Sequence, residues 1–416
     1  MTGCGQMLQQ KTECRICKSV DLLNYLDLGK IPVADHFTLE ANLELKYALG
    51  INFCQNCGWS QLTNVLDPTF LYQVDYPYDS RVTATGKSHW KELASSIQKR
   101  YELPPGDSCL DVGSNTGALL SELKNIGFSV LGVDPSQVAC NEASKFGINT
   151  ICGFFEELNS DAMKVSGQVK FSIITATNSF AHVDNLHAWV ETAANLLKPK
   201  GVLIIEVPHI LEFIKNYEFD TIYHEHLSYC SITPLTGLFA TYGLEMIHVE
   251  KREIHGGTLR IHIANKGVFP VETSVSDLMS EEAVAKLQVA STYMEFGSKI
   301  LDYRERFRNF LSQYCDLHVG ILSAPAKGVT FYHFMGMSDF SIVGISDKSH
   351  LKIGKYFPGT SHKIISDENL AKLDLDVVLI LAWNFAEEIV KDFRKRVDFD
   401  LIYLTAVPEI AIINHA

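Results

Sequence analysis

The chain has 416 residues, 46% of them apolar and 20% charged, and its 36 basic against 49 acidic side chains leave a formal net charge of −13. That composition excludes a disordered polyelectrolyte, and the lack of any run of about 18 to 20 apolar residues excludes a membrane-spanning helix. Acidic side chains spread along the chain, with no cluster of Lys and Arg, exclude a general nucleic-acid binder.

At roughly 100 to 200 residues per domain, the length implies two or three domains. Residues 1–11 are polar and Gln-rich, without the basic start and apolar stretch of a secretory signal, so a cytoplasmic location is expected. In a reducing compartment, paired cysteines point to metal and scattered ones to small core residues.

The first segment, residues 1–75, is rich in turns and carries Cys14-Arg15-Ile16-Cys17 and Cys54-Gln55-Asn56-Cys57. Each knuckle turns two thiolates toward one centre, and four thiolates make a closed, tetrahedral, structural zinc site. A redox Cys-x-x-Cys would come singly beside a helix start. A module this small gains from the metal the folding energy that its core cannot supply.

Residues 76–265 alternate short apolar runs with amphipathic patterns. Buried strands are expected at 108–113, 130–134, 171–176 and 202–207, and helices at 118–126, 138–146 and 187–197. The helix over 187–197 stops at Lys198-Pro199-Lys200-Gly201. The pattern predicts a parallel sheet covered by helices on both faces.

Between the first strand and its helix stands Leu110-Asp111-Val112-Gly113-Ser114-Asn115-Thr116-Gly117. A strand, glycine turn and helix present backbone N–H groups and a positive helix end to a ligand. The spacing from Asp111 to Gly117 suits S-adenosylmethionine better than the Gly-x-Gly-x-x-Gly of nicotinamide enzymes, because a methionine carboxylate and amine replace the pyrophosphate. Gly132-Val133-Asp134-Pro135 follows about 20 residues on, where a carboxylate accepts both ribose hydroxyls. By chain order, Phe154 and Phe155 with Glu156 and Glu157 would approach the adenine, and Asn178 would follow the fourth strand. The rivals at this point are a nicotinamide site and a ligand-free, doubly wound fold.

The run Asp220-Thr221-Ile222-Tyr223-His224-Glu225-His226-Leu227-Ser228-Tyr229 packs two imidazoles, carboxylates and phenols into ten residues. Acid and base chemistry fits it, since His titrates near neutrality and Glu225 can orient it. Strand-borne metal ligation by His224 and His226 lacks a third ligand, and a capped polar loop is the plain alternative. His182, Tyr76, Tyr78, and His255-Gly256-Gly257 with Thr258 and Arg260, are further polar groups able to face the same cleft. Beyond residue 266 a long helical stretch is expected over 276–317. Strands at 328–331, 341–346 and 377–382, with a turn at 354–360, then make a second, smaller α/β domain.

Together these motifs resemble the sugar C-methyltransferases that act on nucleotide-linked 4-keto-6-deoxyhexoses in making branched sugars. The resemblance spans nearly the full length. It is carried by the paired Cys-x-x-Cys module with Leu28-Gly29-Lys30-Ile31-Pro32, by Tyr76-Pro77-Tyr78 and by residues 110–117. It continues through Tyr223-His224-Glu225-His226, His255-Gly256-Gly257-Thr258-Leu259-Arg260, Ala324-Pro325-Ala326-Lys327-Gly328 and Ala382-Trp383-Asn384-Phe385.

The family more often has serine where Thr258 stands, which keeps a hydroxyl, and Gly320-Ile321-Leu322-Ser323 replaces its Gly-x-Gly. The resemblance implies a zinc module (1–75), a Rossmann-like class I methyltransferase core (76–265) and a C-terminal Rossmann-like α/β domain (266–416) that closes over the substrate. It makes His226 the base that removes a sugar C3 proton, with Tyr223, Glu225, His182 and Tyr76 or Tyr78 around the ring; His255, Arg260 and Lys327, the last as a phosphate partner, are candidate substrate contacts.

The expected cofactors are S-adenosylmethionine and structural zinc. The expected partner is a nucleotide sugar, on thymidine, guanosine or cytidine diphosphate, and the chain is expected to be a monomer. Competing readings are methylation at another sugar carbon such as C5, methylation of oxygen or nitrogen on another small molecule, a nicotinamide-dependent sugar-nucleotide oxidoreductase, and a regulator that merely binds the cofactor.

Overall fold

A computed structural model describes residues 7–73, 84–158, 170–254, 256–314 and 316–413. The N-terminal module is built on three strands, β1 (Leu22–Ile31), β2 (Tyr47–Cys54) and β3 (Ser60–Leu62). The first cysteine knuckle precedes β1 and the second joins β2 to β3, which starts three residues after Cys57.

The central part is a seven-stranded sheet. Its elements in chain order are α1 (Ala84–Tyr101), β4 (Ser108–Val112), α2 (Ala118–Asn125), β5 (Ser129–Asp134), α3 (Gln137–Lys145), β6 (Thr150–Cys152), β7 (Phe171–Thr177), α4 (Leu186–Leu196) and β8 (Leu197–Pro208). After β9 (Ser228–Tyr229) and α5 (Ile232–Thr241), the sheet is completed by β10 (Leu244–Arg252) and β11 (Thr258–Asn265). The order across the sheet is β10-β11-β8-β7-β4-β5-β6. Strands β8, β7, β4, β5 and β6 run parallel, β11 runs antiparallel to β8, and β10, antiparallel to β11, returns to the common direction.

This is the Rossmann-like class I methyltransferase arrangement expected from the alternation of apolar runs. Every residue of β4 is buried, as in a parallel strand covered on both faces. Strand β8 starts directly at Leu197 and absorbs the Lys198–Gly201 turn signal as a register shift before Val202.

The last part opens with two helices, α6 (Thr273–Val284) and α7 (Ala290–Leu311). One unbroken helix over 276–317 was expected; the chain breaks it at Lys286, whose backbone is left-handed (φ 56°). The following strands and helices are β12 (Val319–Leu322), α8 (Ala326–Met335), β13 (Ile342–Ser346), β14 (Ile364–Ile365), β15 (Val377–Ile380), α9 (Ala386–Phe393), β16 (Ile402–Thr405) and β17 (Ala411–Ile412). They form a six-stranded sheet ordered β14-β13-β12-β15-β16-β17, parallel except for β17.

The strand expected at 328–331 is instead the heart of α8. Val329, Thr330, Phe331 and Tyr332 are all buried there, so the run carries no amphipathic period to separate helix from strand. Leu381 packs so closely on Gly328 that a Cβ would meet its side chain at 2.9 Å.

The N-terminal module sits between the other two parts. One apolar cluster joins Tyr25, Phe53 and Leu62 to Tyr293 and Phe296 of α7 and to Phe331 of α8. A second joins Cys14, Cys54 and Trp59 to Trp189 and Phe180 on the methyltransferase side. A Cβ on Gly297 would overlap the Tyr25 carbonyl oxygen, so glycine lets α7 lie directly on β1.

Candidate active site

In open α/β sheets, ligands bind beyond the carboxyl ends of the strands where the strand order reverses. The central sheet reverses between β4 and β7, and the C-terminal sheet between β12 and β15. Both reversals open onto one cavity of about 1050 Å³. The cavity is lined from the first by residues 111–115 and 177–179, and from the second by Pro325, Ala326, Lys327, Ala382, Asn384 and Phe385.

On the methyltransferase side the loop takes the backbone that its glycines and asparagine permit. Gly113, Asn115 and Gly117 have φ of 72°, 49° and 78°, and Asn178 across the crevice has 55°. A Cβ on Gly113 would lie 2.5 Å from Ser179 Cβ, so only glycine lets the two loops touch. Gly117 caps α2 and lies behind the cavity wall.

Asp134 ends β5, buried at the cavity, and its carboxylate accepts from the Asn115 and Ser136 N–H groups at 2.8 and 2.9 Å. Each oxygen keeps a second lone pair for a ribose hydroxyl. Asp111 accepts the Thr175 hydroxyl at 2.7 Å, and burial pushes its carboxyl up to about 7. Pro135, Phe154 and Phe155 also reach the cavity; Phe155 is buried against Trp189, leaving Phe154 as the more open ring.

Facing this loop, Tyr223 and His226 meet across one turn. The Tyr223 hydroxyl lies 2.6 Å from His226 Nε2, and His226 Nδ1 lies 3.1 Å from the Thr221 carbonyl. A carbonyl only accepts, so Nδ1 carries a proton, and in the neutral tautomer Nε2 receives the tyrosine O–H. His182 packs edge-on against His226, ring centroids 5.0 Å apart, and its Nδ1 lies 3.1 Å from the Tyr72 hydroxyl. Burial lowers His182 to about 4, so it is neutral at physiological pH. Burial raises the Tyr223 phenol well above 10, which keeps it a hydroxyl donor.

His224 and Glu225 do not line the cavity. His224 is buried against Tyr47 and held neutral by that burial, at about 4. Glu225 is buried near Asp35; burial first, and then that neighbour, push its carboxyl up to about 8. Its expected place around a substrate ring is therefore corrected to one behind the wall, because the alternating turn sends His226 inward and Glu225 outward.

At the C-terminal end, Lys327 Nζ donates to Asn384 Oδ1 at 2.8 Å and stands 3.7 Å from the centre of the Trp383 ring. Trp383 Nε1 donates to Asp220 Oδ2 at 2.8 Å, linking the two halves. Arg260, expected at substrate, is fully buried away from the cavity. Its Nε donates to Glu206 Oε1 at 2.6 Å and its Nη2 to Glu92 Oε2 at 2.9 Å, so one buried and one half-exposed carboxylate consume its charge. Tyr76, Tyr78 and His255 lie outside the described residues. Gly256 abuts Glu218, which lines the cavity and is raised by burial to about 7.

Tyr72, Asp35 and Glu218 were not singled out from sequence. Tyr72 had a signal, since it opens the aromatic stretch that contains Tyr76 and Tyr78; the other two are isolated carboxylates with none.

The four cysteine sulfurs lie within 4.8 Å of one another, with Cys14 to Cys57 at 3.6 Å and Cys17 to Cys54 at 3.5 Å. A tetrahedron with Zn–S of about 2.3 Å has edges of about 3.8 Å, so the group fits zinc. The knuckle is fastened to the methyltransferase side by Arg15 and Lys11 on Asp184 and by the Ile16 carbonyl on His187 Nε2 at 2.7 Å.

Glu225 gives a pH-dependent stability term. Its folded pKa is raised, so between its ordinary 4.5 and about 8 the unfolded chain loses the proton more readily, and the stability lost grows as pH rises through that window. Glu225→Gln has no such term. The gap in melting temperature between the variant and the natural protein should widen in the variant's favour from pH 5 to pH 8 and then level off; a gap independent of pH would contradict the burial of an acidic Glu225.

Residues 14–72 match the family described as "Putative zinc binding domain", 87–249 a methyltransferase domain family and 253–408 the C-methyltransferase C-terminal domain family. The chain is 30% identical over 409 residues to the C-methyltransferase NovU of Streptomyces niveus, covering 97% of each chain. A shorter match, 26% over 124 residues, joins 30% of this chain to 53% of a ubiquinone biosynthesis O-methyltransferase of Paraburkholderia phytofirmans. Among solved structures, an S-adenosylmethionine-dependent methyltransferase from Clostridium acetobutylicum aligns with 44% of this chain and 92% of its own at 18% identity, with a TM-score of 0.36. With a zinc module, a cofactor sheet and a C-methyltransferase C-terminal domain in the same order, this chain belongs to the S-adenosylmethionine-dependent C-methyltransferase family.

Proposed function

We propose that the enzyme transfers a methyl group to C3 of a nucleotide-linked 4-keto-6-deoxyhexose, on a thymidine diphosphate carrier, by removing the C3 proton to form an enolate. The observation that supports this most is the Tyr223–His226 pair set across one cavity from the glycine loop and Asp134. Methylation of oxygen or nitrogen has no need of a base beside a carbon acid.

Bound S-adenosylmethionine supplies an electrophilic methyl carbon on a sulfonium. Asp134 would hold its ribose, Phe154 its adenine, and residues 113–115 its methionine end. The cavity's acidic lining on this side suits a cationic ligand. Among the described residues, the two lysines lining the cavity, Lys327 and Lys352, both come from the C-terminal part, where they suit a diphosphate.

The chemistry then falls to a few side chains. The C4 ketone acidifies the C3 hydrogen, and His226 Nε2 takes that proton when the Tyr223 hydroxyl turns from the imidazole to the ketone oxygen. The neutral phenol donates to the developing enolate oxygen, with His182 packed beside the imidazole. The cavity would hold the enolate with C3 toward the cofactor kept by residues 113–115 and Asp134, whose sulfonium would supply the methyl carbon. Thr221, accepting from Nδ1–H, keeps the imidazole in the tautomer that leaves Nε2 basic.

The exchange of the sugar C3 hydrogen tests this reading. In deuterated buffer the natural protein should wash deuterium into C3 of the keto-sugar nucleotide. His226→Ala should lose both exchange and turnover while keeping cofactor affinity, and exchange that survives in it would remove His226 as the base. Asp134→Ala should weaken cofactor binding by about 1 to 3 kcal/mol, the scale of hydrogen bonds to charged groups. Unchanged affinity by calorimetry would displace the ribose from this carboxylate.

A further inference from the structure

At the far edge of the central sheet, β10 and β11 carry a second cluster that the methyl transfer does not use. His248 pairs directly with His262 across the two strands, after a register shift beyond Met246, and Glu250 stands two residues along from His248. Cross-strand partners and residues two apart share one face of a sheet, so all three side chains converge. Glu250 Oε1 lies 3.5 Å from His248 Nε2 and 3.4 Å from His262 Nε2. His262 is 1% exposed, and its Nε2 makes no hydrogen bond.

The surroundings are arranged as they are behind metal ligands. His248 Nδ1 lies 2.8 Å from the Glu272 carboxylate, which only accepts, and 3.0 Å from the Ser274 hydroxyl, so Nδ1 carries a proton and Nε2 is the nitrogen that faces Glu250. His262 Nδ1 lies 2.7 Å from the Tyr101 hydroxyl at the end of α1. The other oxygen of Glu250 is turned to Arg252 and Arg260, at 3.5 and 3.7 Å, which leaves Oε1 for the imidazoles.

We propose that His248, Glu250 and His262 form a second metal site, taking a divalent zinc-type ion through two imidazole Nε2 atoms and one carboxylate oxygen, with water as the fourth ligand. Tetrahedral bonds of about 2.0 to 2.2 Å to nitrogen and oxygen give ligand-to-ligand edges of about 3.3 to 3.6 Å, the spacing that both Glu250-to-imidazole edges already have, and all three ligand atoms lie within 4.8 Å of one another. Two imidazoles and a carboxylate suit zinc, cobalt and iron over calcium or magnesium. His248 and Glu250 keep 14% and 24% of their side chains exposed, so an ion enters without opening the fold. The ion would staple edge strand β10 to β11 and, through Tyr101 and Glu272, to the end of α1 and the start of α6. It lies apart from the four-cysteine zinc.

The test is zinc stoichiometry of the full-length protein. After equilibration with zinc chloride and desalting, mass-spectrometric metal analysis should find two zinc ions per chain in the natural protein and one in His248→Gln and in Glu250→Gln. Added zinc should raise the melting temperature of the natural protein and leave both variants where they were. One zinc per chain in the natural protein would overturn the proposal, as would two in both variants. Because the count on the natural protein decides by itself, a variant that failed to fold would not rescue the idea.

Discussion

The placement of Tyr223 and His226 depends on a two-residue strand. β9, Ser228–Tyr229, begins two residues after His226 and pairs antiparallel with β3, whose Gln61 and Ser60 are its partners. The Leu62 N–H donates to the Leu227 carbonyl beside it. β3 in turn starts three residues after Cys57. The turn that brings Tyr223 to His226 is therefore an edge of the zinc module's sheet, although it belongs in sequence to the methyltransferase part. A zinc ion on the four sulfurs would hold Cys54 and Cys57, and with them the strand that β9 needs. Gln61 reinforces the link, accepting the Arg15 N–H at 2.8 Å and donating to the Glu13 carbonyl at 3.0 Å.

A second constraint is electrostatic. Many of the cavity's carboxyl groups are buried, and burial pushes Asp111 and Glu218 toward 7. Groups so placed hold their protons readily near neutrality, which spares the empty cavity the repulsion of several ionised carboxylates and lets a cationic ligand find an acceptor-rich wall. Behind the sheet the opposite solution prevails: Arg260, fully buried, is neutralised by Glu206 and Glu92 while His89 Nε2 takes the other Glu206 oxygen at 2.7 Å. Removing one partner of such a network leaves an uncompensated buried charge, so Arg260 serves the fold.

Much of this was legible in the sequence. The apolar runs of β4, β5, β7 and β8 read as buried strands because parallel strands are covered on both faces, and Asp111 to Gly117 fell at the topological switch point where such a loop belongs. Residues 328–331 were read as a strand because α8 is buried around most of its surface, which erases the helical period. The Tyr223 to His226 run announced itself by composition, but no local rule separates inward His226 from outward Glu225; that follows from β9, too short to carry a strand signal. Arg260 looked like a ligand residue beside two glycines, and its true partners lie 54 and 168 residues away in the chain.

The central claim, carbon methylation through an enolate, is tested most directly by the position of the transferred carbon. With methyl-labelled carbon-13 S-adenosylmethionine and a thymidine diphosphate-linked 4-keto-6-deoxyhexose, the account predicts a product whose labelled methyl couples to a ring carbon, C3, that has lost its hydrogen. A label attached to oxygen or nitrogen, or to C5, would contradict it.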